Sequence, residues 1–205
     1  SVENDDKFII KGTIKATSAP GNSGVITVRK NITVKGDGTT PILNANSNGT
    51  DCPPTPHRIF TVENGAKLTL DGIQLENGDA GTWKGGAILI KEGGSANIEN
   101  TFIYGCKARI GGAIYNEGSL SLSLCHIGAS GKPNKAELGG AIYSYDKTSG
   151  SENCTILGTD ISYNEATTGG GICIIGGKCT IEPKGTTPTL IDHNKCSGSS
   201  TNADG

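Results

Sequence analysis

The sequence is poor in the large side chains that fill a thick protein core. Its 205 residues include no methionine, one tryptophan and three phenylalanines. This composition argues against a globular core packed with aromatic rings. Glycine, in contrast, occurs 32 times, and isoleucine, valine and leucine recur in short runs. We expect a thin core of stacked aliphatic side chains, because β-branched residues pack well on pleated strands while glycine and asparagine serve the turns.

Neither sign of charge dominates the sequence. The chain has 18 lysines and arginines against 20 aspartates and glutamates, and its longest basic run is the pair Arg29 and Lys30. This pattern argues against a nucleic-acid groove and against a polybasic membrane patch. No apolar run approaches the roughly 18 residues of a membrane span, and no signal peptide precedes Ser1. We therefore expect a mature segment without a nucleic-acid partner and without direct membrane insertion.

Motifs for metal binding are also missing. The seven cysteines form no Cys-x-x-Cys pair, and none lies beside a histidine at the spacing of a metal site. We therefore expect no metal and no cofactor. The odd number leaves at least one thiol unpaired within a monomer, so a complete disulfide framework is not implied. The cysteines are Cys52, Cys106, Cys125, Cys154, Cys173, Cys179 and Cys196.

The chain does contain an internal repeat. The segment Gly-Gly-Ala-Ile at 85–88 returns at 111–114 and 139–142, and it returns as Gly-Gly-Gly-Ile at 169–172. Between these copies lies a second signature, in which an Ile or Phe is followed three positions later by a small or amide residue, with Glu76 as the one different member. Its members are Ile73 to Glu76, Phe102 to Gly105, Ile127 to Ser130, Ile161 to Asn164 and Ile191 to Asn194. Such a period is typical of solenoid proteins.

Each period holds two or three short segments with alternating apolar residues, separated by turn residues, and no helical pattern. One such period can close one coil of a solenoid, which places equivalent positions of successive coils in parallel register. The sequence therefore predicts an all-β fold, a right-handed parallel β-helix that is a single-stranded solenoid of about seven or eight coils. The hand follows from the preference for right-handed parallel crossovers. We expect one domain over 1–196 and a flexible tail over 197–205. Within the domain, the coils formed by residues 1–72 are expected to be less regular, with an excursion near 44–56. The repeats in residues 73–196 are expected to be regular.

Stacking of the coils predicts columns of equivalent side chains. The isoleucines of the four Gly-Gly copies should form one interior ladder, and Asn164 and Asn194 should take left-handed turn positions with amides that hydrogen-bond along the stack. Tyr115 and Tyr143 follow two of these isoleucines and should therefore point outward and stack. An exposed tyrosine column is a candidate platform for a sugar ring or a protein partner, unless a loop or the 44–56 excursion covers it.

Two cysteines also repeat. Cys154 and Cys179 begin matching Cys-Thr-Ile triplets and should therefore stack on successive coils. This spacing predicts either a thiol ladder or a strained disulfide, because adjacent strands lie within disulfide range while parallel side chains fit the required torsion poorly. The remaining cysteines are expected to be buried, unreactive thiols.

The repeats carry a resemblance to a known family. The copies GGAIYN at 111–116 and GGAIYS at 139–144, interleaved with ISYN at 161–164, resemble the GGAI and FxxN repeats of polymorphic membrane proteins of chlamydial type. Similar repeats occur in bacterial surface proteins with pectate-lyase-like β-helices. The resemblance covers about residues 60–196 and implies a secreted or cell-surface stalk or an adhesin-like passenger. It implies a host or cell-surface protein or glycan as partner, and it brings no catalytic residues.

Polysaccharide lyases and glycoside hydrolases also use β-helices, so catalysis is the alternative reading. Such enzymes need clustered carboxylates with a base, or paired carboxylates on one face. Asp71, Asp160 and Asp192 occupy different phases of the repeat, so we expect them not to stack. We expect the histidines His57, His126 and His193 to be surface or turn residues, and no catalytic residue is assigned. The leading hypothesis is a non-enzymatic extracellular or surface segment that presents a binding face.

Overall fold

The computed structural model describes residues 5–19, 24–47, 55–147 and 152–198. These ranges form strands and turns, and they contain no helix with the length and apolar character that crossing a bilayer requires. The strands are, in chain order, β1 (Asp6–Ile10), β2 (Thr13–Lys15), β3 (Ile26–Val28), β4 (Ile32–Gly36), β5 (Ile42–Asn44), β6 (Phe60–Val62), β7 (Lys67–Asp71), β8 (Gln74–Glu76), β9 (Ile88–Ile90), β10 (Ser95–Glu99), β11 (Phe102–Tyr104), β12 (Ile114–Asn116), β13 (Ser119–Ser123), β14 (His126–Ile127), β15 (Lys135–Leu138), β16 (Ile142–Tyr145), β17 (Glu152–Leu157), β18 (Asp160–Ser162), β19 (Glu165–Thr168), β20 (Ile172–Ile175), β21 (Lys178–Glu182), β22 (Leu190–Asp192) and β23 (Lys195–Cys196).

The strands make four parallel sheets. Sheet A runs in the order β1, β4, β7, β10, β13, β17, β21, and sheet B runs β2, β5, β8, β11, β14, β18, β22. Sheet C runs β3, β6, β9, β12, β16, β20, and the short sheet D runs β15, β19, β23. Because the chain visits sheets A, B and C in turn before it returns to A, each circuit is one coil. The protein is therefore a β-solenoid, which confirms the predicted fold class, while its right-handed winding stays a prediction.

The solenoid has about six turns rather than the seven or eight predicted. Some coils are longer than the repeat of the sequence indicates. The neighbours Lys35 and Asp71 in sheet A are 36 residues apart in sequence, and Cys125 and Thr159 on adjacent coils are 34 apart. Residues 48–54, which include most of the predicted excursion, and the tail beyond 198 lie outside the described residues.

The core is a thin column of aliphatic side chains. Ile88, Ile114, Ile142 and Ile172 are consecutive register partners in sheet C, and the first three are fully buried, which confirms the interior ladder. Along the strands of sheet A, side chains that face the core alternate with side chains that face outward; Leu120 and Leu122 are two of the buried ones. Each coil therefore contacts chiefly its two neighbours, as expected for a solenoid.

The four Gly-Gly corners line up along the rod. The first glycine of each pair adopts a left-handed backbone, with φ of 66° at Gly85 and at Gly111. The second glycine has a different function, because it allows close approach of coils. A Cβ atom on Gly112 would overlap the carbonyl oxygen of Gly140 on the next coil. The repeated pair therefore combines a turn with a backbone-to-backbone contact that admits no side chain.

An asparagine ladder, buried at Asn134 and Asn164 and half-buried at Asn194, forms the corner between sheets B and D. The Nδ2 of Asn134 donates to Oδ1 of Asn164 at 2.9 Å, and Nδ2 of Asn164 donates to Oδ1 of Asn194 at 3.0 Å. The predicted hydrogen bonding along the stack is confirmed, but the predicted left-handed positions are wrong. Positive φ falls one residue earlier, at Tyr163 (59°) and His193 (51°), because the asparagine side chains turn inward to bind backbone carbonyls.

Candidate ligand-binding face

The outward column of sheet C is the strongest candidate for a binding surface. Register places Thr61, Leu89, Tyr115, Tyr143 and Cys173 on successive coils. The rings of Tyr115 and Tyr143 stack with centroids 5.2 Å apart and an interplanar angle of 7°. Parallel strands force this arrangement, since equivalent side chains of adjacent coils must lie side by side. The predicted stacking of the tyrosines is therefore confirmed.

The predicted exposure is wrong for Tyr115. Only 3% of Tyr115 is exposed, whereas Tyr143 is half-buried. The Tyr115 ring has Tyr143 on one side, and the ammonium of Lys84 lies 4.3 Å from its centroid. Its hydroxyl donates to Oε1 of Glu117 at 2.9 Å. Tyr115 is therefore a buried support, and Tyr143 is the member of the pair that can contact a ligand.

Lys84, Tyr115 and Glu117 form one polar network around this support. Lys84 Nζ donates to Oε1 of Glu117 at 2.7 Å. Burial raises the pKa of Tyr115 to about 12, and the neighbouring Glu117 carboxylate raises it too, although Lys84 opposes both. Partial burial acts to raise the pKa of Glu117, but the hydrogen bonds from Lys84 and Tyr115 outweigh it and the pKa is lowered. The carboxylate is therefore ionised at neutral pH and fixes the lysine over the ring.

A concave surface adjoins this network. A cavity of about 300 Å³ is lined by Pro56, His57, Arg58, Trp83, Lys84 and Leu89, among others. Trp83 is 73% exposed, yet its backbone is held on both sides, by Ala80 O and by Arg109 N, each at 3.0 Å. Its indole therefore stands on a fixed turn beside Leu89, the register neighbour of Tyr115.

Arg58 lines this cavity and is hydrogen-bonded to the backbone of the next coil. Its Nη2 donates to the carbonyl of Lys84 at 2.9 Å, which ties the coil of β6 to the Gly-Gly corner at 85–86 on the next coil. Burial lowers the pKa of its guanidinium. His57 lies next to it, with Nδ1 2.7 Å from the carbonyl of Arg58 and with a buried Nε2 that has no hydrogen-bond partner among the described residues. His57 is thus half-buried rather than fully at the surface.

The other predicted positions lie away from this face. Cys154 and Cys179 are register partners in sheet A, which confirms that they stack, and both are free thiols. Cys125 is buried while the adjacent His126 is exposed, so they face opposite directions as expected of strand neighbours. His193 is exposed at its turn. Cys52 lies outside the described residues.

Cys106 and Cys125 are buried thiols, as predicted, but the predicted burial is wrong for Cys196, which is exposed, and for Cys173, which is only half-buried. Burial raises the pKa of the Cys106 thiol to about 12 and that of Cys125 to about 11. Both are therefore protonated at neutral pH, and a protonated thiol is a poor nucleophile.

The carboxylates predicted not to stack indeed occupy different places. Asp71 is in sheet A, while Asp160 and Asp192 are in sheet B opposite Leu190 and Ser162 respectively. Asp71 accepts hydrogen bonds from Lys35 at 2.6 Å and from Asn100 at 2.9 Å, which lower its pKa. An ionised carboxylate of this kind is unsuited to general-acid catalysis at neutral pH. Among the described residues no three His, Cys, Asp or Glu side chains are grouped so as to hold a metal ion.

The residues that surround the tyrosines were not predictable from the repeat pattern. Lys84 and Glu117 are 33 residues apart, and Arg58 reaches Lys84 from the preceding coil. One signal was available, since Lys84 directly precedes a Gly-Gly corner and Glu117 lies two residues after Tyr115. Comparison with protein-family models, with curated proteins and with solved structures found no match for this chain. The fold and the geometry of the face are therefore the basis for assigning a function.

Proposed function

We propose that this chain is a non-enzymatic β-solenoid segment, a stalk or adhesin-like module of the extracellular space or bacterial cell surface, and that the outer face of sheet C binds a glycan. One observation carries the proposal. An apolar surface runs from the exposed Trp83 over Leu89 to Tyr143, which stacks on the buried Tyr115, and ionic side chains border it.

The chemistry of this surface suits a sugar. Aromatic rings present an electron-rich face, which attracts the weakly positive C–H face of a pyranose. Lys84 and Glu117 supply hydrogen-bond donors and acceptors for hydroxyl groups, because an ammonium has three donors and a carboxylate has about four acceptor sites. These polar groups are already held in place by their mutual bond of 2.7 Å. A pre-formed site loses little conformational entropy on binding.

The solenoid also supports presentation at a surface. Its outer columns are long, regular and independent of the core, so one face can vary while the coils still stack. The resemblance of the Gly-Gly-Ala-Ile repeats to those of bacterial surface proteins points in the same direction. A glycan is favoured over a protein partner because the cavity beside Trp83 has the size of a small-ligand site, about 300 Å³.

The test uses the tryptophan itself. Trp83 is the single tryptophan of the chain, so intrinsic fluorescence reports on this face alone. The purified chain is first screened on a microarray of neutral, N-acetylated and uronic-acid oligosaccharides, and the strongest binder is then titrated into the protein. We expect a saturable change in Trp83 emission. Absence of binding to every oligosaccharide would refute the glycan assignment.

Two variants separate the face from the fold. Tyr143→Ala should weaken the affinity roughly two- to tenfold, since an aromatic contact is worth about 0.5–1.5 kcal/mol. The matched control is Phe102→Ala, because Phe102 stacks on His126 in sheet B with centroids 5.0 Å apart and an angle of 8°. The control should bind as the wild type does. Equal affinity of the Tyr143→Ala variant and the wild type would remove this face from consideration.

A further inference from the structure

Cys154 and Cys179 are direct neighbours on adjacent strands of sheet A. Register pairs them between β17 and β21, and the two thiols interact, since each one shifts the pKa of the other, upward for Cys154 and downward for Cys179. Neighbouring parallel strands lie about 4.8 Å apart, and disulfides span Cα separations of about 4.4–6.8 Å. The backbone spacing therefore already meets the first requirement for a covalent bond.

The second requirement is a closer approach of the Cβ atoms, to about 3.5–4.5 Å. Two local features provide room for that movement. The register of β17 against β21 shifts between Glu152 and Cys154, which makes Asn153 the extra residue of a bulge, and bulges re-aim adjacent side chains. Among the described strands, β21 has a neighbour on one side only. It can therefore shift toward β17 without breaking a second ladder.

The two thiols also differ in their exposure to solvent, and this difference determines which of them reacts first. Cys154 is 1% exposed, whereas Cys179 is partly exposed. Cys173, the nearest other cysteine in sequence, has Tyr143 as its register partner and belongs to sheet C. Cys106 and Cys125 are buried at other corners of the coil. Of the described cysteines, Cys154 and Cys179 alone are register partners.

We propose that Cys154 and Cys179 are a disulfide site that joins the coils of β17 and β21 when an oxidised low-molecular-weight disulfide is present. The Cys179 thiolate attacks one sulfur of the oxidant and displaces one thiolate. Cys154 then attacks the Cys179 sulfur, and its proton passes to the departing sulfur, which leaves as the second thiol. Two protein thiols are oxidised and one disulfide of the oxidant is reduced to two thiols. This inference is independent of the proposed ligand.

The test maps the bond in the full chain. The folded protein is incubated with oxidised glutathione, free thiols are alkylated, and the chain is digested with trypsin and a glutamate-specific protease without reduction. These cleavages separate Cys154 (peptide 153–165) from Cys173 (166–178) and from Cys179 (179–184). We expect peptide 153–165 linked to peptide 179–184. Recovery of both peptides unlinked, or of Cys179 linked to Cys173, would overturn the proposal.

Variants and exchange measurements establish what the bond does. Cys173→Ser should keep the link, while Cys179→Ser, a substitution at a partly exposed position, should abolish it without unfolding the chain. In the wild type, oxidation should slow amide hydrogen exchange in β21 roughly tenfold or more, because the link opposes local opening of this coil. Exchange in the Cys179→Ser variant should not respond to the oxidant. An equal exchange rate for oxidised and reduced wild type would contradict a clamp between the coils.

Discussion

Replacement of Gly112 by alanine tests the stacking of the coils most directly. The added Cβ would lie 2.7 Å from Lys135 N and 2.8 Å from Lys135 O, and it would overlap the carbonyl oxygen of Gly140. An ordinary contact begins at 3.4 Å, and all three atoms belong to the backbone of the next coil. The coils must therefore separate locally, which breaks ladder hydrogen bonds on both sides of the corner.

The magnitude follows from the cost of overpacking. Forcing a methyl group into a closed interface typically costs about 1–3 kcal/mol, and backbone atoms yield less readily than side chains. We expect a loss of about 3 kcal/mol and a melting temperature lower by roughly 6–12 °C. Circular dichroism during heating and during urea unfolding measures both quantities.

The matched control is Gly24→Ala. An alanine Cβ at Gly24 meets nothing within 4 Å, and no left-handed φ is required there. Its free energy of unfolding should stay within about 0.5 kcal/mol of the wild type or rise slightly, because alanine lowers the entropy of the unfolded chain. If the Gly112→Ala variant were as stable as the Gly24→Ala variant, the inference that adjacent coils touch backbone to backbone at the Gly-Gly corners would be refuted.

Two further predictions concern polar groups. Asn164→Ala should lower the free energy of unfolding by about 2–4 kcal/mol in urea, because it leaves buried partners such as the Ile127 carbonyl unsatisfied. If the variant lost as little stability as Asn97→Ala, a change at an outward-facing asparagine, the stabilising role of the ladder would be refuted. Glu117 has a lowered pKa in the folded protein, so its contribution to stability is present above its unfolded pKa and is lost as the pH falls through the folded value. The melting temperature should therefore fall less steeply in acid for Glu117→Gln than for the wild type, and identical slopes would refute the role of its bond to Lys84.

The sequence predicted the columns because the repeat itself sets the register. A glycine corner followed by an apolar residue recurs at 85–88 and three more times, and a corner that admits no side chain fixes which residues face each other. The number of coils was not predictable in the same way. Loops between strands differ in length without changing the register, so dividing the chain length by a mean period overestimates the turns.

The environment of each column was harder to predict. Tyr115 was expected at the surface because it alternates with Ile114, but Lys84 from the preceding coil and Glu117 from the end of the same strand close over it. Asn134 was missed because residues 128–133 separate it from Ile127, whereas the second repeat motif places the equivalent position three residues after Ile127, at Ser130. The shared pattern Asn-x-Ala at 134–136 and 164–166 was the available signal.

The separation of interior and exterior positions in sheet C has an evolutionary consequence. The core fixes the isoleucine of each Gly-Gly copy, whereas the residue that follows it varies along the column: Leu89, then Tyr115 and Tyr143, then Cys173. Duplication of one whole coil would therefore lengthen the rod by a single strand spacing of about 4.8 Å and add one ring to the stack. New recognition surfaces are accessible to this chain through gain or loss of entire coils, with the rest of the molecule left as it is.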